Sequence, residues 1–486
     1  MKPALAADPV QTPAHDRPAL SPLLSLALIA LLALVILFII PRPAGVSVQG
    51  WRMLAIFACT VLALMLRPIP GGASVLIGVT LMVLAGVLTM SQALTAYGSS
   101  TVWLVVAAFF IARALIGSGL ARRIALLFIR TMGHTSLGLG YSLAGSDLVL
   151  AGIVPSNSAR VGGVIFPITR SLAVIYESLP GPTASLLGTY LMLTIYQGDL
   201  IACAMFLTGQ ASNPIGARLA MQTAQVEMTW AGWLWASWLP GLATMLALPW
   251  VIYRLSPPAI KHTPQAAEMA RRELAEMGPL SRDEKIVLAV FILVCGLWAT
   301  SSLHRIETTA VALLGAGVLL ATRTLSWGDA IREHVAWDVF IWYGGLVRMG
   351  EALNDSGVTA VFARWVSGHF SGWRWPVLMA ALVLIYFYIH YAFASMTTHM
   401  IALYVPFLAI LLTSGAPAAL AAYALMFYTN LSASLTHYGT THSPIIFAAG
   451  YVSVGRWWRV GLLISFVNLA IWTVVGFVWW KIIGLW

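Results

Sequence analysis

Two short polar clusters interrupt an otherwise apolar chain, and each has the chemistry to hold an anion. The first is Ser156-Asn157-Ser158-Ala159-Arg160 and the second is Ser395-Met396-Thr397-Thr398-His399. At a break between two helices, such a cluster combines hydroxyls with free helix N-termini. Those termini favour anions through unpaired N–H groups and the macrodipole. Unwound carbonyls beside them favour small cations. Arg160 and His399 each stand four residues after the leading serine. Together they could set up to two positive charges against a doubly charged anion. Each feature also has a plainer explanation. Serine and threonine can bond back onto their own helices, an arginine can snorkel to the headgroups, and a lone histidine can be a bonded core residue. Duplication of the cluster favours the functional reading.

The surrounding composition fixes the setting. Of 486 residues, 60% are hydrophobic and 9% charged, against roughly 25% charged in soluble domains. The expected fold class is an all-α polytopic membrane protein. Spans long enough for a bilayer are expected near 22–40, 51–66, 73–92, 101–117, 185–207, 230–253, 286–303, 308–322, 336–353, 416–436 and 459–485. The net charge of +10 sits mostly between these spans. It therefore reads as membrane orientation by the positive-inside rule, not as a nucleic-acid surface. Arg67, Arg122, Arg123, Arg130, Arg323 and Arg456 then lie inside, with the N-terminus cytoplasmic, and the expected location is a bacterial inner membrane. Residues 1–20 lack the features of a signal peptide and read as a disordered tail. Cys59, Cys203 and Cys295 lie in apolar runs and read as packing.

Two apolar segments, 141–176 and 375–412, fall outside the span series and carry the polar clusters in their middles. The arm from Tyr141 to Pro155 rises only about 22 Å as a helix, short of a core of about 30 Å. Each segment is drawn as a re-entrant hairpin whose tip lies inside the bilayer, where only protein or a water-filled cavity can surround it.

The hairpins are copies. Ser156 and Ser395 are 395 − 156 = 239 apart, as are Pro167 and Pro406 (406 − 167 = 239). Upstream, Ala114–Gly119 echoes Ala352–Gly357. Downstream, Thr208-Gly209-Gln210-Ala211-Ser212-Asn213-Pro214 has a counterpart in Thr436–Pro444. The span count runs the two halves in opposite directions. Inverted repeats with broken helices are the signature of secondary transporters, with the site at the repeat interface. The expected organisation is a first repeat over 21–253, a cytoplasmic loop over 254–285 and a second repeat over 286–486. Within the loop, a helix over 265–277 stops at Gly278-Pro279, and Ser281 and Glu284 form a capping box.

Asp147, Asp199, Glu351 and Asp355 lie in or near apolar segments and could relay protons. Arg113 and Arg348 could neutralise some of them. His437 and His442 are five apart, not the four that would place both on one helix face. No motif for nucleotide binding, metalloprotease chemistry or a di-iron site is present, so an enzyme, catalytic residues and a metal site are not expected.

The pieces VPSNSARVGGVIFPI, MFLTGQASNPIGARLA, YAFASMTTHMIALYVPFL and SLTHYGTTHSPIIFAAGYVSVGRWWRVG resemble the divalent anion/sodium symporter family. The likeness is greatest to its 2-oxoglutarate/malate translocators and citrate– or tartrate–succinate antiporters, and runs from about residue 100 to the end. The resemblance implies eleven spans, two re-entrant hairpins, a homodimer and an elevator motion of one half against a scaffold. Carried over by position, Ser156, Asn157 and Ser158 form one carboxylate-binding motif, and Ser395, Met396 and Thr397 the other. Gln210, Ser212, Asn213, Thr440 and Thr441 complete the tips. Met396 stands where the family has Asn, which removes an amide from one tip.

Fixed cations at Arg160 and His399 would distinguish exchange from symport. Sodium ions leave with the substrate, so an empty symporter returns uncharged. Fixed side chains cannot leave, and an empty carrier would carry them unpaired through a low-dielectric barrier. The expectation is sodium-independent exchange of di- or tricarboxylates such as succinate, malate, 2-oxoglutarate, tartrate or citrate, with no cofactor. Sodium- or proton-coupled symport is the alternative; a membrane-embedded enzyme or a sensor has less support.

Overall fold

The computed structural model describes residues 21–358, 361 and 372–486. The tail expected over residues 1–20 lies outside that set. Among the described residues the elements are helical, apart from one isolated bridge between Thr135 and His262. Among the described residues nine helices are long and apolar enough to cross a membrane, and three of the four hairpin arms are among them. Apolar side chains face outward along these helices, with Leu23, Phe38, Val474 and Ile482 strongly exposed. That surface suits lipid contact, and the chain is a multi-pass membrane protein.

Two groups of helices pack internally. One contains Val48–Leu66, Gly71–Leu84, Ser100–Gly117, Arg282–Ala299, Thr308–Ala321 and His334–Asp355. The other contains both hairpins together with Gly188–Met205, Ser212–Ala224, Trp230–Leu255, Ala418–Ser432 and Val454–Ile471. An apolar cleft of about 790 Å³ lies between them, lined by Leu54, Phe57, Leu346, Ile401 and Val405. The guanidinium of Arg218, on the hairpin side, crosses to Glu351.

Both hairpins form with a short break at the tip. The first has arms Ser136–Ala151 and 158–175, and the second has arms Trp375–Tyr388 and Met396–Thr413. The second arm of the first hairpin opens as a π-helix over Ser158–Ile165, a distortion frequent at functional sites. The later segments break as expected, between Met205 and Ser212 and between Leu435 and Ser443.

The Trp230–Leu255 helix tolerates Pro240 in its interior. Proline cannot donate to the carbonyl four residues earlier, here Ala236. Trp480 Nε1 donates to Ala236 O instead, at 2.8 Å. In the polar loop, Pro264–Met277 is helical and ends at Gly278, whose φ of +63° only glycine adopts without strain. Ser281 and Glu284 form the capping box, and Arg123 Nε adds an ion pair to Glu284 at 2.5 Å. Arg123 belongs to an amphipathic helix, Leu120–Met132, absent from the span series.

Candidate anion site at the helix breaks

The leading serines act as helix caps. Ser156 Oγ accepts from Ala159 N at 3.2 Å, and Ser395 Oγ accepts from Thr398 N at 3.4 Å. Capping uses the oxygen and leaves each hydroxyl proton able to donate. The first tip meets the break of the other repeat. Ser158 Oγ lies 2.7 Å from Thr441 Oγ1, which also donates to Asn157 Oδ1 at 3.4 Å. Thr441 is exposed, and Ser158, Ser395 and Thr397 are part-exposed. This open polar surface is the candidate site for an anion. No hydrogen bond joins Ser395 or Thr397 to the first tip among the described residues.

Gln210 and Asn213 take another role. Gln210 Nε2 donates to Asn430 Oδ1 at 2.6 Å, and Asn430 Nδ2 donates to Asn213 Oδ1 at 3.1 Å. Asn213 Nδ2 closes the break above it, donating to Cys203 O at 2.8 Å and Phe206 O at 2.9 Å. These amides clasp the two repeats together. Ser212 is buried. Thr440 is also buried and caps the Ser443–Ala448 helix, accepting from Ser443 N at 3.0 Å.

Arg160 does not face a guest. It is wholly buried, and all five of its N–H donors are used. Nε donates to Asp147 Oδ1 at 2.9 Å, and Nη2 donates to Asp199 Oδ1 at 2.5 Å and to Cys203 Sγ at 3.4 Å. Nη1 donates to Val154 O at 2.7 Å and Gly209 O at 2.6 Å, one carbonyl from each break of the first repeat. With two carboxylates as neighbours, Arg160 brings no net positive charge to the tip. His442 Nε2 joins the cluster 3.2 Å from Asp199 Oδ2. His399 is wholly buried too, with ring centroids 4.4 Å from Tyr386, 5.1 Å from Phe393 and 4.9 Å from His390. Arg160 and His399, expected to meet the anion directly, are both enclosed behind their tips in this structure.

The duplication runs deeper than the quoted motifs. At the offset of 239, Asp147 corresponds to Tyr386 and Arg160 to His399; both pairs are in contact. At the downstream offset of 230 (444 − 214), Asp199 corresponds to Thr429 and Gly209 to Gly439. Tyr386 Oη lies 2.7 Å from Thr429 Oγ1, and His390 Nε2 lies 3.1 Å from Gly439 O. A Cβ on Gly209 would stand 2.8 Å from Cys203 O, and one on Gly439 would stand 3.0 Å from Ala433 O. Both breaks therefore need glycine. His390, Tyr386 and Asn430 escaped the sequence reading, although extending the offset past the tips reaches Tyr386.

A family profile described as the sodium:sulfate symporter transmembrane region matches residues 22–486. The chain belongs to this family, the divalent anion/sodium symporters. Among family relatives, dicarboxylate transporter 1 of Arabidopsis thaliana chloroplasts is 41% identical over 454 residues, covering 93% of this chain and 82% of the relative. The L-tartrate/succinate antiporter of Shigella sonnei strain Ss046 is 31% identical over 481 residues, covering 95% and 97%. The crystal structure of the YdaH transporter of Alcanivorax borkumensis aligns with a TM-score of 0.54 at 14% identity, over 91% of this chain and 99% of that one. That last likeness concerns fold alone. Members of this family are transporters, not enzymes.

Of the remaining acidic candidates, Glu351 and Asp355 pair with Arg348 at 3.2 and 3.6 Å. Arg113 lies 4.0 Å from Glu333, away from the four acidic candidates.

Proposed function

We propose that the chain exchanges one dicarboxylate for another across the membrane without sodium. Membership of the family, and relatives that carry dicarboxylates, support the substrate class. Succinate, malate, 2-oxoglutarate, tartrate and citrate are the candidates. The observation that carries sodium independence is the state of the carbonyls at the breaks. A symported cation would bind unwound carbonyls, and fixed side chains already bond several of those at the breaks. Arg160 takes Val154 O and Gly209 O. Trp233 takes Ala204 O and Ser237 takes Met205 O, both at 2.8 Å. In the second repeat, Tyr196 takes Ala433 O and Thr436 O, Gln197 takes Ser434 O, and His390 bonds Gly439 O.

Exchange follows from the tips. An empty carrier moves the hydroxyls of Ser156, Ser395 and Thr397 through the barrier with no acceptor for their protons among the described residues, and such groups cost free energy when buried. Substrate carboxylates satisfy them in either direction. Movement of the hairpin group against the other helices, in a homodimer, is the elevator form of this reading; the apolar cleft supports it, crossed by Arg218 and Gln222 to Glu351 and by Arg67 to Ala394 O. The same reading has the N-terminus inside, in a bacterial inner membrane, on the side of the basic residues between spans.

The test is succinate uptake into proteoliposomes, preloaded with succinate or empty, with and without sodium. Uptake is expected only into preloaded vesicles and independently of sodium. Strong sodium-driven uptake into empty vesicles would reject the reading in favour of symport.

A further inference from the structure

The cluster behind the first tip holds more negative than positive fixed charge. Arg160, Asp199 and His442 are 0% exposed and Asp147 is 2% exposed. One guanidinium faces two carboxylates, leaving one negative charge unless a proton is present. An unbalanced charge away from water is costly. A single proton, on a carboxyl or on His442, makes the cluster neutral. The geometry offers it a place, because His442 Nε2 lies 3.2 Å from Asp199 Oδ2. The other oxygen of Asp147, Oδ2, is buried without a hydrogen-bond partner among the described residues. The remaining groups around the cluster carry no full charge: Cys203 beside Arg160 and Asp199, Tyr196 against the His442 ring at 5.5 Å, and Thr440 3.2 Å from His442 Nδ1. The matching place in the second repeat holds Tyr386, His399 and Thr429, so the carboxylates are confined to one half.

The cluster is wired to the anion site at both ends. His442 follows Thr441, and Arg160 stands two residues after Ser158, while Thr441 and Ser158 touch each other. A dianion seated there raises the cost of a net negative charge behind the tip. Proton and dianion then bind each other's complex more tightly, and the effect is reciprocal.

We propose that Asp147, Arg160, Asp199 and His442 form a proton-binding site, and that a dicarboxylate binding at the neighbouring tips draws a proton onto it. This inference rests on the dicarboxylate reading.

The experiment is calorimetric titration of succinate into the purified full-length protein at pH about 8, where both succinate carboxyls are ionised, in two buffers of different ionisation enthalpy. Net uptake of up to one proton per succinate is expected, with affinity falling by at most about tenfold per pH unit, the ceiling for one linked proton. Asp147→Asn leaves one carboxylate against one guanidinium, so its succinate binding is expected to take up no proton. Succinate binding to the unaltered protein with no proton uptake anywhere on the alkaline side would overturn the proposal, whether or not the variant folds. Equal uptake by the Asp147→Asn variant would also overturn it. No succinate binding at all would overturn the dicarboxylate reading and this inference with it.

Discussion

Arg160 directs every donor into the protein, and this changes what its removal should do. Replacing it with alanine strands Asp147 and Asp199 in a dry interior. Breaking a buried pair in this way costs roughly 3–5 kcal/mol, so Arg160→Ala is expected to melt at a lower temperature in detergent, and adding Asp147→Asn should recover part of the loss. An unchanged melting curve for the single variant would mean that the pairing contributes little. Buried Asn157 and exposed Thr441 meet at the same tip. Asn157→Ala and Thr441→Val are expected to cut exchange at least about tenfold, the worth of one charge-assisted hydrogen bond, with little change in melting. Loss of stability in step with activity would assign them to packing instead. The sequence marked Arg160 through its place in a duplicated cluster. It did not reveal that Asp147, 13 residues before, and Asp199, 39 after, meet on it, because that contact exists only once three segments have folded together.

Helix ends and breaks were the legible elements. Both hairpin tips, both later breaks and the Ser281–Glu284 capping box can be read from residue types and spacing, since each depends on local backbone chemistry. The Leu120–Met132 helix was not legible in that way. It is amphipathic, and its Arg122, Arg123 and Arg130 read as a basic loop until Glu273 is brought to Arg122 and Glu284 to Arg123. That pairing predicts a pH effect. Arg123 holds the Glu284 carboxyl below the usual glutamate range. A depressed carboxyl contributes stability that is present above its unfolded value and lost as pH falls through the folded value. Acid titration of the melting temperature should therefore show a loss on the acid side that shrinks in Glu284→Gln. The proline-bearing helix gives a second check at this scale. Trp480→Phe removes the indole N–H with its five-membered ring and leaves Ala236 O without its donor, at an expected cost of at least about 1–3 kcal/mol. A value near zero would mean that the carbonyl finds another partner.

At the scale of the whole molecule, two helical groups face each other across an apolar cleft, and Arg218 and Glu351 tie them together. If the hairpin group moves during transport, this pair must part in each cycle. Glu351→Gln is then expected to change the exchange rate severalfold with little change in KM, and the charge swap Arg218→Glu with Glu351→Arg should restore it. A shift in KM alone would place the pair at the substrate instead. The repeat itself was legible because both halves keep a leading serine, a glycine and two prolines at matching positions around their breaks. Their differing offsets, 239 before and 230 after, have a physical source. Residues 176–187 connect the first hairpin to its next helix, whereas residues 414–417 do the same in the second repeat. The longer connector carries exposed Pro180, Gly181, Pro182 and Thr183. It offers a seat for a reporter cysteine, since the two copies share a plan but only one has slack to spare. Labelling Thr183→Cys from one face of sealed vesicles would fix which way the carrier points.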